Sequence, residues 1–210
     1  MKDIEKMLSA GPLPMQDEEQ QAARAARRLS ARAISEGLAD VGYAPVDSPF
    51  GTLTAAVTEE GLVRLAFPEE PLDEVLDRLA AKLSPRIVEA PKRFERVRRE
   101  LDEYFAGSRR EFDVPLDRTL MSAFAKRVLA ATSAIPYGSV STYMEMAAAA
   151  GSPRGSRAAG NALGANPIPL IVPCHRVLRS GGNIGGYGGG LDRKRWLLEL
   201  EGAFKPQGSR

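Results

Sequence analysis

The apolar positions of the chain switch between helical and strand spacing several times. From Asp17 to Gly37, Ala22, Ala25, Ala26, Leu29 and Ala33 recur at helical spacing between charged residues, which predicts an amphipathic helix ended by Gly37. Its stripe is almost entirely alanine. Such a helix either docks shallowly on the body of the protein or a partner, or stands as a solvated extension; residues 1–16, with Gly11-Pro12-Leu13-Pro14, read as an irregular arm. Beyond Ser48-Pro49-Phe50-Gly51 the period falls to two. Leu53, Ala55 and Val57 alternate, Glu60-Gly61 turns the chain, and Val63, Leu65 and Phe67 alternate again, a β-hairpin. Pro71 then opens a helix whose face is Leu72, Val75, Leu76, Leu79 and Leu83, and a second helix carries Phe94, Val97, Leu101 and Phe105 up to Gly107. Phe112-Asp113-Val114-Pro115-Leu116 alternates like a further strand.

After Leu116 the pattern is mainly helical. A helix is expected over 120–132, Pro136-Tyr137-Gly138 turns, and Thr142 with Glu145 has the spacing of a capping box that launches a short helix to Ala150, stopped by Gly151. Ser152 as cap and Pro153 as first helical residue suit another helix, running through Arg154-Gly155-Ser156-Arg157-Ala158-Ala159-Gly160-Asn161-Ala162-Leu163. Two short helices across a tight turn form a helix-turn-helix candidate. The second is nearly all small residues punctuated by arginine, which permits very close approach to another backbone, either a nucleic acid or a protein helix. The fold class expected is α+β: a small N-terminal α/β domain with a hairpin and helices over 46–118, a mainly helical C-terminal domain over 119–210, and an extension over 1–45.

Composition is that of an ordinary soluble protein of 210 residues. The start lacks the apolar core of a signal peptide, and no apolar run approaches the ~20 residues that cross a bilayer, so a cytoplasmic protein without a membrane role is expected. The overall charge of +2 hides an asymmetry. Residues 119–210 hold eleven Lys/Arg against four Asp/Glu, a balance of +7, and residues 1–118 eighteen against twenty-three, a balance of −5. A basic half suits a polyphosphate partner, although such a bias is also what a solvated basic face gives. One cysteine and one histidine exclude an internal disulfide and a four-ligand Cys/His zinc site.

That cysteine and that histidine are adjacent, in Ile171-Val172-Pro173-Cys174-His175-Arg176-Val177. A thiol is a poor nucleophile until a base or positive field raises its thiolate fraction, and histidine is the side chain suited to do this near neutral pH. By themselves two such residues are more often a small buried hydrophobe and a structural histidine.

The run Pro173-Cys174-His175-Arg176-Val177 is similar to the active-site motif of the O6-alkylguanine-DNA alkyltransferases, or methylated-DNA–protein-cysteine methyltransferases. The resemblance extends through Ile135-Pro136-Tyr137-Gly138, Tyr143, Arg157, Asn166-Pro167, Gly185-Gly186-Tyr187 and Trp196-Leu197-Leu198 to Glu201-Gly202, covering about residues 119–203. It weakens over 46–118, where Leu101-Asp102-Glu103-Tyr104-Phe105-Ala106-Gly107 carries it, and is absent from 1–45.

The resemblance implies suicide repair without a cofactor: the Cys174 thiolate takes the alkyl group of O6-alkylguanine in double-stranded DNA, bound through the minor groove, and each monomer acts once. It makes His175 the base, through a bridging water in the family, and Glu201 its orienting carboxylate. Asn166 becomes a hydrogen-bonding tie to the active-site segment. Tyr143 is matched to the tyrosine that helps rotate the nucleotide and protonates guanine N3, and Arg157 to the arginine that fills the gap left by an extruded base. Ser156, Arg154, Ala158 and Gly160 would lie on the DNA with Arg157. Val172, Val177, Tyr187 and Gly188 would form the base pocket, with carbonyls of Cys174 and Val177 accepting from the guanine amino group and amides near Tyr187 and Gly188 facing O6. Gly188 departs from the serine of some members, which bears on tolerance for bulky alkyl groups. Two rivals differ in outcome. An alkyltransferase-like protein lacks the reactive cysteine, and a DNA-binding alkylation sensor or regulator would use the helix-turn-helix without productive repair. A papain-type hydrolase is disfavoured because its histidine lies far along the chain from its cysteine.

Overall fold

In the computed structural model, residues 15–204 are described. The first strand, β1 (Val41–Val46), lies inside a four-stranded sheet of order β3-β2-β1-β4, with β2 Leu53–Val57, β3 Leu62–Ala66 and β4 Ile87–Glu89. β1–β2 and β2–β3 are antiparallel, whereas β4 runs parallel to β1. The expected hairpin is β2–β3. β1 crosses the boundary expected at residue 46, because Pro45 and Gly42 disguise a strand whose Val41, Ala44 and Val46 are buried.

Both sheet faces are covered. Val41, Ala56, Val63 and Ala66 meet Val75 and Leu79 of α2 (Leu72–Lys82) on one side. On the other, Leu53, Ala55, Val57, Leu62 and Leu65 join a cluster containing Val97, Leu101 and Tyr104 of α3 (Glu95–Phe105) and continuing into the C-terminal half. This continuity fixes the second half against the first. Residues 112–116 do not form the expected strand; a single bridge joins Leu116 to Leu62, and the Pro115 carbonyl accepts from the Leu62 N–H at 2.8 Å. The Asp117 N–H returns a bond to the Leu62 carbonyl at 2.9 Å, and Pro115, which has no N–H, cannot carry the ladder on toward Glu60. Gly61 makes the approach possible, since a Cβ there would sit 2.3 Å from the Pro115 oxygen at a φ of +140°.

The edge of β3 is also the seat of the C-terminal half: the Leu65 N–H donates to the Pro167 carbonyl at 2.8 Å. That half contains α4 (Ala123–Ser133), β5 (Ser141–Thr142), α5 (Tyr143–Ala149), α6 (Ser156–Gly164), β6 (Val177–Leu178) and α7 (Leu191–Leu200). Ser122 caps α4, and Thr142 with Glu145 forms the expected capping box on α5. α6 starts later than the sequence suggests. The Ser152 carbonyl accepts the Gly155 N–H at 2.8 Å in a tight turn, so Ser152 and Pro153 stand outside the helix and Gly155 precedes its first residue.

The amphipathic helix is α1 (Met15–Ser35), ended by Gly37 at φ +68°. Of its described side chains, Ala33 and Ile34 near the end are half-buried, whereas Ala22, Ala25, Ala26 and Leu29 are exposed. The arm expected over 1–16 lies outside the described residues, except that 15 and 16 open α1.

Candidate active site

Cys174 begins a 3-10 turn, Cys174–Arg176, that leads into β6. The strand pair β5–β6 places this turn beside the start of α5. Upstream, Leu170 is fully buried at φ +71°, a conformation that costs a branched side chain energy and is held by the packed segment around it.

The thiol is nearly buried. Burial pushes its pKa up, while the Asn166 amide and the Lys194 ammonium favour the thiolate. Asn166 Nδ2 donates to Cys174 Sγ at 3.2 Å and to the Val172 carbonyl at 2.9 Å, and its Oδ1 accepts from the Ile168 N–H at 3.0 Å. One amide therefore holds the segment before the cysteine and touches the sulfur.

His175 is wholly buried, with Nε2 2.9 Å from Glu201 Oε1. An ionised carboxylate only accepts, so Nε2 carries the proton and Nδ1 keeps its lone pair, with no hydrogen-bonding partner among the described residues. Burial lowers the histidine pKa, and Glu201 opposes this. Glu201 itself would be pushed up by burial, but hydrogen bonds from His175, Arg176 and Tyr104 hold it at about 2. Arg176 contacts both carboxylate oxygens, Nε to Oε2 at 2.8 Å and Nη2 to Oε1 at 2.9 Å, and its Nη1 donates to the Ile135 carbonyl at 2.6 Å. The Tyr104 hydroxyl donates to Oε1 at 2.7 Å.

Two cavities have Cys174 in their walls. The first, about 560 Å³, is lined by Tyr143, Ser156, Arg157, Gly160, Tyr187 and Gly188, together with Arg179. Ala159, Ala162 and Leu163 bury one face of α6, leaving Ser156, Arg157, Ala158 and Asn161 on its outer face. Arg154 is exposed in the preceding turn; neither it nor Ala158 reaches a cavity. Tyr143 donates to the Gly186 carbonyl at 3.1 Å, linking α5 to the glycine-rich loop. The second cavity, about 440 Å³, runs from Cys174, Tyr187, Gly188 and Pro169 toward Arg64, Phe67 and Arg78 of the N-terminal half.

Val172 and Val177, expected in the base pocket, are buried and line neither cavity. Their carbonyls are engaged instead, that of Val172 by Asn166 and that of Val177 by Lys194 Nζ at 2.6 Å. The Cys174 carbonyl takes the Val177 N–H. Each carbonyl retains a second lone pair.

Lys194, Arg176 and Tyr104 carry no site role in the sequence reading. Lys194 is fully buried, bonded also to the Gly186 carbonyl at 3.1 Å, and burial lowers its pKa to about 8. Lys194 offered no signal, because it stands between Arg193 and Arg195 in a helix that is half charged. Tyr104 offered none, since its partner is distant in sequence. Among the described residues no group of three or more His, Cys, Asp or Glu is arranged to hold a metal.

Residues 41–118 match the family described as 6-O-methylguanine DNA methyltransferase, ribonuclease-like domain, and residues 123–203 the DNA binding domain of the same name. A methylated-DNA–protein-cysteine methyltransferase of Mycolicibacterium paratuberculosis is 41% identical over 166 residues, 79% of this chain and 95% of its own. A constitutive one from Bacillus subtilis is 35% identical over 163 residues, covering 76% and 94%. The crystal structure of Mycobacterium tuberculosis OGT in complex with DNA superposes with a TM-score of 0.67 at 41% identity, covering 77% of this chain and 93% of that one. With both domain models matched in order and relatives covered nearly end to end, the chain belongs to the methylated-DNA–protein-cysteine methyltransferase family.

Proposed function

We propose that this protein repairs DNA by moving the alkyl group of O6-alkylguanine onto Cys174 in one irreversible turnover. The observation that carries this is the buried run from Asn166 through Cys174, with His175 and Glu201 behind it, opening on a cavity walled by α6. The partner is double-stranded DNA entered from the minor groove, whose ~6 Å width suits the small residues of α6. A cytoplasmic site of action is part of this reading.

In the reaction, His175 Nδ1 accepts the thiol proton through a bridging water and Sγ attacks the alkyl carbon bonded to O6. The carbon–oxygen bond breaks, its electron pair passes to the guanine, and the proton that guanine gains balances the one the thiol lost. Asn166 steadies the developing thiolate, while Glu201 holds the imidazole in the tautomer that can act. Arg157 fills the space of the extruded base, and Tyr143 stands at the base cavity as the proton donor. Ser156, Gly160 and the exposed Arg154 and Ala158 face the backbone of the groove. The product thioether is not opened by thiol exchange, and the chain has no second thiol.

A duplex with O6-methylguanine inside a restriction site tests this. Wild type restores cleavage in proportion to protein added, and Cys174→Ser does not. Binding of the lesion by wild type without restored cleavage would overturn the proposal in favour of a sensor.

A further inference from the structure

Among the described residues, one side chain of the N-terminal half hydrogen-bonds the Glu201 carboxylate. Tyr104 lies on α3, is fully buried, and donates its hydroxyl to Glu201 Oε1, the same oxygen that faces His175 Nε2. Its ring is fixed on several sides, with Phe112 at 5.2 Å, Phe105 at 5.5 Å and Tyr137 at 6.3 Å between centroids. A hydroxyl held this firmly specifies where the carboxylate points.

It also governs charge. Oε1 accepts from Tyr104, His175 and Arg176, so each donor takes part of the electron density available to the others. Burial, followed by the nearby Glu201 charge, pushes the phenol far above its ordinary range, so it donates at every working pH. The groups facing His175 are Glu201 and Lys194 from the C-terminal helix and its end, Arg176 and Cys174 from its own turn, and Tyr187 from the glycine-rich loop. Arg176 and Lys194 disfavour the imidazolium, and Glu201 favours it. Loss of the Tyr104 donor leaves Glu201 the stronger acceptor toward His175 and tips this balance toward the charged ring.

We propose that Tyr104 is a positioning residue for alkyl transfer: it aims Glu201 Oε1 at His175 and moderates its charge, so the imidazole stays neutral with Nδ1 open to the thiol proton. This rests on His175 being the base, as in the function proposed above. The supporting half of the chain thereby contributes to the chemistry as well as to stability.

The chain's single histidine makes the test direct, because an untagged sample gives one imidazole signal by NMR. Tyr104→Phe removes only the hydroxyl. The His175 titration midpoint then rises by ~0.5 pH unit or more, since hydrogen bonds to charged groups are among the stronger ones, and the acid limb of single-turnover methyl transfer moves up with it. Tyr137→Phe is the control. Its hydroxyl donates to the Leu200 carbonyl at 3.0 Å rather than to Glu201, and its loss leaves the midpoint in place. Tyr104→3,5-difluorotyrosine, a stronger donor of nearly the same shape, shifts the midpoint down, and it serves if Tyr104→Phe does not fold. A folded Tyr104→Phe whose midpoint matches wild type overturns the proposal, as does a difluorotyrosine protein without the downward shift. Absence of methyl transfer in wild type would instead defeat the proposed function, since the NMR titration does not depend on it.

Discussion

Replacing Glu201 by glutamine removes a charge that three side chains surround. In the folded protein the carboxyl titrates at about 2 against an ordinary 4.5. At 1.36 kcal/mol per unit this difference is worth about 3 kcal/mol, at the low end of the ~3–5 kcal/mol seen on breaking a buried ion pair. The folded pKa lies below the unfolded one. The contribution is therefore complete above about pH 5 and is lost as the pH falls toward 2, about 1.4 kcal/mol of it by pH 3.5. Urea unfolding measures both quantities. At pH 7 Glu201→Gln has a midpoint roughly 1.5 M below wild type, for a slope near 2 kcal/mol per molar, and the gap narrows when both proteins are unfolded at pH 3.5. Methyl transfer falls at least ~10²-fold at pH 7, because the neutral amide no longer stabilises the imidazolium and its NH2 group, able to face His175, no longer fixes one tautomer. A deficit under ~1 kcal/mol, or one indifferent to pH, would refute the view that this carboxylate is held ionised by its buried partners.

Arg157→Ala should slow transfer from duplex DNA ~10-fold or more, since extrusion of a base costs a few kcal/mol, yet leave reaction with free O6-benzylguanine unchanged; equal losses on both would contradict a role in extrusion. Asn166→Ala removes a donor to the sulfur and a tie to Val172, so alkylation of Cys174 by iodoacetamide should need higher pH, and an unshifted profile would count against thiolate stabilisation. Gly189→Ala places a Cβ 2.6 Å from Phe67 Cε2 and 2.7 Å from Tyr187 Cε1, which should destabilise by ~1–3 kcal/mol and impair transfer; thermal unfolding and single-turnover rates read both effects.

The C-terminal half was the most legible because its signals are local. A capping box, a stopping glycine and an adjacent Cys-His pair each declare themselves within a few residues, and Asn166 sits a short turn from the sulfur it touches. The start of α6 was misread because Ser152-Pro153 fits a helix start as well as it fits the turn that actually forms. Long-range pairings were hidden. β4 has only three residues and joins β1 in parallel, and Leu116 meets β3 through one bridge. The Tyr104–Glu201 contact spans 97 positions, and Val172 and Val177 offer buried carbonyls to Asn166 and Lys194 where pocket walls were expected. No periodicity carries such information, since it arises when the two halves pack.

Whether Cys174 itself becomes the thioether is decided most directly by the mass of the intact protein, followed by peptide sequencing, after incubation with excess duplex containing one O6-methylguanine. One methyl per chain, located on Cys174, absent from Cys174→Ser and never exceeding one, is the expected result. An unmodified chain that nevertheless binds the lesion, or a methyl on another residue, would contradict transfer to Cys174.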